Sequence, residues 1–408
     1  NPIKTPILKS YGEGLGTSDY WNSLYGVRKG QVDRAVNTMD SGALNKALLS
    51  VTRRTVIVED DCDTKKFITE EVDSKDALDR FLAATIPGVG PRNSLVDSSI
   101  LLKLKSSKVK EVKVRSPLTC EATNGICRHC YGLLPNGELP SIGENVGVQE
   151  GQALTERSTQ LTMQTFHTGG TALGGGGIVG SFPRLKQLLE VPETLSNKAT
   201  LVTARGTVES IQKNAIGGHE VEIDGKVYTI PPEHKVTVNK GDVVGRGQAI
   251  STGNIQPQEL GKLKGHLPAQ QYIVNELNNI YQDDFNKKSF ETVVRAVSDN
   301  AVVTDAPARS GYYRGDRSSI SELDAINKKR KKEGLDLIKY NPYFKSIETA
   351  NVDQDDWLTR FTTNRIKQAV QEGVSKGSYA NLHGKDPIPA YLYGDEFGKG
   401  DAAKGEFY

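Results

Sequence analysis

Thr159, Gln160, Met163, Gln164 and His167 recur at three- and four-residue steps within TQLTMQTFHTGG, residues 159–170. A helix would therefore carry them on neighbouring positions of one polar, titratable face. Six of the ten residues after His167 are glycine: Gly169, Gly170 and Gly174 to Gly177. They lift the Cβ restriction on φ at an entropic cost that would be odd in a purely structural segment. A polar helix feeding a glycine tip reads as a mobile lid, although a lone helical histidine is more often a surface or core residue than a catalyst.

The cysteines form a second constellation. The four in the chain are Cys62, Cys120, Cys127 and Cys130, the last three as C-x6-C-x2-C in TCEATNGICRHCYG. The x2 pair can offer two thiolates from one tight turn, where Gly125 is expected to ease the knuckle, and four thiolates complete a tetrahedral zinc site. A closed shell of four sulfurs leaves no place for water, so the expected role is structural. Cys62, in EDDCDT just after a predicted helix, would staple that helix's exit to the later ribbon. Two disulfides are the competing reading in a chain with no secretory pattern. His129 is a possible replacement for one thiolate.

The elements that must position these groups begin with a helix expected from about Thr17 to Thr52. Val32, Ala35, Val36, Met39, Ala43 and Ala47 make one stripe, with Arg28, Lys29, Arg34 and Lys46 elsewhere. Thr17 or Ser18 is a ready N-cap. Some 35 residues would span roughly 50 Å, enough to cross a cleft. Gly26, Gly30 and Ser41-Gly42 lie inside it, each glycine costing about 1 kcal/mol relative to alanine, so the helix is expected to bend. A long surface helix is the bland alternative.

The 408 residues suffice for two to four core-bearing modules. A charged fraction of 25% and a mean hydropathy of −0.47 fit a globular chain. No apolar run reaches about 18 residues, and there is no signal-peptide pattern, so neither a membrane span nor secretion is supported. The net charge of +2 means that any nucleic-acid role must rest on local basic clusters. Asn1 in place of Met suggests cleavage, trimming or a start further upstream.

TQLTMQTFHTGG resembles the trigger loop of β′, the largest catalytic subunit of multisubunit DNA-dependent RNA polymerases. The stretch EGLGTSDYWNSLYGVRKGQVDRAVNTMDSGALNKALLSV is similar to the bridge helix of that subunit, and the four cysteines resemble one of its zinc sites. The resemblance implies that Thr38 and Met39 abut the template base pair. It also makes Ser41-Gly42 the flexing point and turns Arg28, Lys29 and Lys46 toward nucleic acid or triphosphate. Met39 stands where the family usually has alanine, and Ala43 where it has a bulky aromatic. It further implies that Met163 packs on the incoming base, Gln160 meets its ribose and His167 reaches the β-phosphate as acid or positive stabiliser. Gln164 replaces a phosphate-touching arginine, keeping a hydrogen bond but losing the bidentate charge. Two further departures precede this segment: Gln149, Glu150 and Gly151 replace a small-residue run, and Arg157 replaces a proline.

Beyond these, SFPRLKQLLEVPE resembles the family's exit helix. Residues 199–253 read as short strands, a small β-barrel or sandwich-hybrid module in which NKGDVVGRGQAISTG looks like a hammerhead; a lipoyl-type carrier domain is the alternative. Residues 256–303 read as mostly helical, with Leu260, Leu263, Leu267, Tyr272, Ile273, Leu277 and Ile280 on a buried face. The run NKKRKKEG, 327–334, is a solvated surface turn or a phosphate-facing patch. DWLTRFTTNRIKQAVQEGV resembles a switch helix near the template, with Arg360, Arg365 and Lys367 toward a nucleic-acid backbone, and an unpacked tail follows.

The expected fold is thus mixed α and β: a bridge-helix region over 1–62, a zinc ribbon over 63–140, a trigger-loop helical hairpin over 141–198, the β module over 199–255, a helical region over 256–345 and a C-terminal switch region and tail over 346–408. The family holds its catalytic Mg²⁺ on an N-A-D-F-D-G-D loop, and no D-x-D-G-D string occurs here. The acidic group Glu59, Asp60, Asp61 and Asp63 reads instead as a solvated ribbon edge. The resemblance therefore implies half of a split β′ of the kind found in giant bacteriophages, inactive alone. Its partners would be the chain bearing the aspartates, β-like chains, template DNA, RNA and nucleoside triphosphates. Its place would be the cytoplasm of a bacterial host, or the virion. A non-catalytic zinc-stabilised assembly or regulatory protein of polymerase ancestry is the competing class. A free-standing zinc-ribbon DNA-binding factor would want a compact basic domain instead.

Overall fold

The structure, a computed structural model, describes residues 6–164 and 181–349 apart from 108, 193, 196, 215 and 283, together with 371, 374 and 375. For 33, 34, 36–38, 159–164 and 181 it describes the backbone alone. His167, the glycine tip, Arg360, Arg365 and Lys367 lie outside the described residues. Among the described residues no helix is long and apolar enough to cross a membrane.

Residues 17–52 contain no proline to break a helix, and α1 (Thr17–Thr52) runs unbroken through Gly26, Gly30 and Ser41-Gly42. Its N-cap is Gly16 with extended backbone and no side-chain capping bond, one residue before the expected Thr17 or Ser18. The expected apolar stripe is not buried: Val32, Ala35, Met39 and Ala43 are exposed. Burial follows Ser41, Leu44, Leu48, Val51 and Thr52 instead, because only the last third of α1 packs on other described elements.

After α1 come β1 (Ile57–Glu59), β2 (Ile68–Glu71), α2 (Ser98–Ser106) and β3 (Glu111–Val114). β2 and β3 pair antiparallel over a small core of Ile68, Leu82, Val96, Leu104, Val112 and Val114. β4 (Ile126–Cys127) pairs parallel with β1 and leads into the single turn α3 (Arg128–Tyr131). α4 (Val146–Gln164) then packs along the end of α1. A Cβ on Gly147 would lie 2.0 Å from the Thr52 carbonyl oxygen and 2.7 Å from Thr55 Cβ. The Gly147 N–H donates to the Thr55 carbonyl at 2.9 Å. Asn145 locks the junction, donating from Nδ2 to the Arg53 carbonyl at 2.7 Å and accepting from the Val148 N–H at 3.0 Å.

α5 (Ser181–Glu190) buries Leu185, Leu188 and Leu189 in the same core. The β module follows as β5 (Gly206–Lys213), β6 (His219–Ile223), β7 (Lys226–Ile230) and β8 (Val243–Val244), in the order β7-β6-β5-β8. Asp224 and Gly225, both at positive φ, make the two-residue turn that an Asp-Gly pair favours between strands. The described residues form a four-stranded sheet with isolated bridges, and no ladder joins β8 to β7 to close a barrel.

α6 (Pro257–Lys264), α7 (His266–Ile280) and α8 (Lys287–Ser298) complete the helical core. Leu260, Ile273 and Leu277 are buried as expected, and Leu263, Leu267, Tyr272 and Ile280 pack against that core. The helical reading fails after Ser298. β9 (Asn300–Asp305) lies between β10 (Arg317–Ser318) and β11 (Lys339–Tyr343), with α9 (Ile320–Lys332) packed on this sheet. In β9, Ala301 and Val303 alternate inward, a period of two that short β-branched runs adopt. The basic run is helical through Lys332 rather than a turn. Arg330 is buried and donates to the carbonyls of Asp336, Arg309 and Ala308, while the surrounding lysines are exposed.

The α1–α4 contact is tested by Gly147→Ala, which should destabilise the chain by about 1–3 kcal/mol through overpacking against backbone. The control, Gly42→Ala, meets nothing within 4 Å and should be neutral or gain up to roughly 1 kcal/mol from helix propensity. Denaturant unfolding measures both; equal stability of the two variants would refute the close contact.

Candidate metal centre and active-site helices

The knuckle is built by local backbone bonds to sulfur. The N–H of Cys130 donates to Cys127 Sγ at 3.3 Å, that of Cys127 to Cys120 Sγ at 3.4 Å and that of Glu121 to Cys62 Sγ at 3.5 Å. Gly125 serves it differently than expected. The left-handed turn is made by Asn124 (φ 60°), whereas a Cβ on Gly125 would lie 2.2 Å from the Val56 carbonyl oxygen. Glycine is required for the approach of β1, not for the turn.

The four Sγ atoms lie within 4.8 Å of one another, with Cys62 at 3.7 Å from both Cys120 and Cys130. A disulfide needs about 2.05 Å, and all four thiols are free. A tetrahedron of sulfurs at about 2.3 Å from zinc has edges of roughly 3.8 Å, so the cluster fits a four-thiolate metal site. Hydrogen bonding, first from Cys120, holds the Cys62 and Cys127 thiols below the ordinary range, while burial pushes those of Cys120 and Cys130 up. A divalent cation would resolve that split by displacing the protons from all four. His129 stands outside the cluster: its Nδ1 lies 2.7 Å from the Asp60 carbonyl oxygen and its ring packs on Phe81 at 4.5 Å.

The acidic group around Cys62 is a solvated edge at Asp60 and Asp63, whose side chains are 63% and 76% exposed, but Asp61, at 26%, turns inward. Asp60 pairs with Arg128 at 2.7 Å, Asp61 with Arg115 at 2.5 Å and Asp63 with Arg92 at 2.8 Å. Arg115, which sequence reasoning passed over, is completely buried and faces three of the sulfurs. The sequence carries no signal for it: the alternation that buries Val112 and Val114 would turn Arg115 outward, yet it is buried just past the end of β3. Arg295 on α8 is also buried. Its Nη1 donates to the carbonyls of Pro117 (3.0 Å) and Cys120 (2.7 Å), and its Nη2 to those of Ala122 and Gly125 (both 3.2 Å).

The second candidate constellation is only partly in view. Gln160, Met163 and Gln164 fall in the last turns of α4, where the backbone alone is described. On α1, Arg28, Lys29, Met39, Gly42 and Lys46 are exposed, and the Thr38 side chain is not described. What the structure does fix is the base of α4. Thr155 Oγ1 lies 2.8 Å from Asn45 Oδ1 on α1, and Tyr281 donates to the Leu154 carbonyl at 2.9 Å. Glu150 accepts from the buried Tyr131 hydroxyl at 2.6 Å, and Arg157 pairs with Asp284 at 2.7 Å. Burial first, then the Glu150 charge, pushes the Tyr131 hydroxyl up. It therefore stays a proton donor. Glu150 and Arg157, two departures noted in the sequence, are both held by specific partners.

Comparison with known proteins bears on both constellations. The chain is 32% identical over 411 residues to the DNA-directed RNA polymerase subunit beta' of Mycoplasma genitalium, covering 94% of this chain and 31% of that protein. It is 31% identical over 406 residues to the subunit of the same name in Bacillus subtilis, covering 94% and 34%. The chain thus spans about a third of the length of the curated relatives it matches. A family model described as RNA polymerase Rpb1, domain 5, matches residues 14–320. Since that match runs from the approach to α1 to the first residue of α9, the chain belongs to this family, as a homologue of the C-terminal part of the polymerase β′ subunit.

Proposed function

We propose that this chain supplies the bridge helix and trigger loop of a multisubunit DNA-directed RNA polymerase, with α1 as the bridge and α4, residues 165–180 and α5 as the trigger hairpin. The observation that carries the proposal is the shape of α1. Its 36 residues extend roughly 54 Å, yet among the described residues only its last third packs on other elements. The free part exposes Tyr20, Trp21, Tyr25, Val27, Val32 and, at 72%, Met39. So much apolar surface on an otherwise polar helix fits one that is covered by nucleic acid and other subunits in an assembly.

The reaction is nucleotidyl transfer: the RNA 3′ oxygen attacks the α-phosphorus of a nucleoside triphosphate, the bond to the β-phosphate oxygen breaks and pyrophosphate leaves. Phosphoryl transfer rests on positioning and on charge stabilisation. Met163 packs on the incoming base, Gln160 meets the ribose, and His167 gives a proton or positive charge to the β-phosphate as the leaving group forms. Thr38 and Met39 meet the template pair, and Arg28, Lys29, Lys46 and Arg365 meet phosphates. No D-x-D-G-D string occurs among these 408 residues, so the catalytic Mg²⁺, which would stabilise charge on the phosphates, would be held by carboxylates outside them. Zn²⁺ on Cys62, Cys120, Cys127 and Cys130 is structural. The partners are the polymerase segment bearing the aspartates, β-like chains, DNA and RNA, in the cytoplasm of a bacterial host. Gln164, Glu150 and Arg157, set against identities near 30% to cellular β′, favour a divergent polymerase of the giant-phage kind.

Three outcomes are expected. The purified chain should carry close to one zinc, and Cys127→Ser should lose it; elemental analysis reads both, and a zinc-free wild type with mapped disulfides would sink the metal reading. The chain alone should extend no RNA on a primed template and should gain activity only with the aspartate-bearing partner. In the reconstituted complex, His167→Ala should slow single-nucleotide addition by roughly 10- to 10⁴-fold with assembly intact. Rapid-quench rates equal to wild type, with the complex intact, would refute the trigger-loop role given to His167.

A further inference from the structure

Four thiolates around a divalent ion leave a net charge of −2, and Cys120, Cys127 and Cys130 are all at most 5% exposed. Such a charge is costly to bury unless donors and cations surround it. Backbone N–H groups reach Cys62, Cys120 and Cys127. The remaining contacts come from one side chain. Arg115 Nη2 lies 3.3 Å from Cys62 Sγ, 3.3 Å from Cys130 Sγ and 3.5 Å from Cys127 Sγ. Nη1, on the opposite arm of the fork, meets Asp61 Oδ1 at 2.5 Å and Asn93 Oδ1 at 3.0 Å. Asn93 also donates to Asp61 Oδ2 at 2.8 Å, closing the bracket behind the guanidinium.

We propose that Arg115 is the positioning residue that retains the metal: a buried guanidinium, clamped from behind by Asp61 and Asn93, that caps three thiolates at once. The proposal rests on the zinc reading above. It follows from the planar fork of arginine, which fixes one nitrogen on the sulfurs while the other is held by oxygen acceptors; a lysine offers no second arm. Cys130 depends on it most, since Arg115 supplies its only nitrogen donor among the described residues. Hydrogen bonds to sulfur draw charge from the thiolates and make them poorer nucleophiles toward alkylating agents.

The test compares full-length wild type with Arg115→Met, which keeps volume but loses the charge and the donors, Arg115→Lys, which keeps the charge, and Asp61→Asn, which weakens only the bracket. Zinc transfer to a chromogenic chelator and thiol alkylation by iodoacetamide are followed at fixed pH. Arg115→Met should weaken zinc retention roughly 10- to 100-fold, the range typical of outer-shell partners, and speed alkylation; Arg115→Lys should fall between it and wild type, and Asp61→Asn nearer wild type. In the cobalt-substituted protein the thiolate-to-metal absorption should shift in Arg115→Met, a change that lost packing alone does not produce. If Arg115→Met and Arg115→Lys both release zinc at the wild-type rate with an unshifted cobalt spectrum, the proposal is overturned. If Arg115→Met does not fold, the Lys variant decides by the same two readouts. A wild type without zinc instead overturns the metal reading itself.

Discussion

A buried guanidinium is tolerable only if its N–H groups find acceptors, and the placement of Arg295 inside the molecule sets the terms for everything around it. Its fork is filled by four carbonyls of the segment 117–125, which must therefore hold one shape. One turn earlier on α8, Glu291 faces Arg80 in a two-armed pair at 2.6 and 2.8 Å and also accepts from Ser116 at 2.5 Å. Every residue of α8 but Lys287 and Ala296 is buried. Its apolar residues Phe290, Val293, Val294 and Val297 join the helical core, and its buried charges face the segment that carries the cysteines. Ion pairs of this kind need not add net stability over apolar packing, but losing one partner strands a charge at about 3–5 kcal/mol. Their effect is to make the position of the cysteine loop and that of α8 a single variable.

The same helix connects the metal knuckle to the two helices proposed to work on the nucleotide. Lys288 donates to the Leu133 carbonyl just beyond the knuckle and lies 5.4 Å over the Tyr131 ring. Tyr131 in turn holds Glu150 on α4. Burial pulls the Lys288 ammonium below its ordinary range, which the carbonyl and the ring face partly offset. On the far side of α4, glycines 147 and 151 bring its backbone against the end of α1. The described ends of α1 and α4 are therefore rigidly founded. In the proposed reading, a firm base of this kind lets the free parts of both helices move against nucleic acid without disturbing the fold.

Much of this was legible in local sequence. The cysteine spacing announced a metal site because the donor set and the C-x2-C turn are local properties. The strand module over 199–253 was legible because short alternating segments punctuated by turn residues are also local. Other readings failed where a local pattern met a distant partner. Val32, Ala35, Met39 and Ala43 are apolar at helical spacing, yet they face outward, since periodicity reports that a face is apolar without saying which chain covers it. NKKRKKEG read as a turn, but the stem of Arg330 is buried and its fork is filled by carbonyls some twenty residues upstream.

By itself, then, the sequence determined the long helix, the four sulfur donors, the strand module and the family resemblance, because each is written in residues near one another or in motifs of fixed spacing. Only the tertiary structure decided that Arg115 faces three sulfurs, that Asp61 braces it, that Gly125 admits β1, and that Glu150 and Arg157 have partners. These contacts reach as far as the 127 positions between Arg157 and Asp284, and the Arg80–Glu291 pair spans more than two hundred. Charge complementarity and burial select such pairs once the chain has folded, and no local period encodes them.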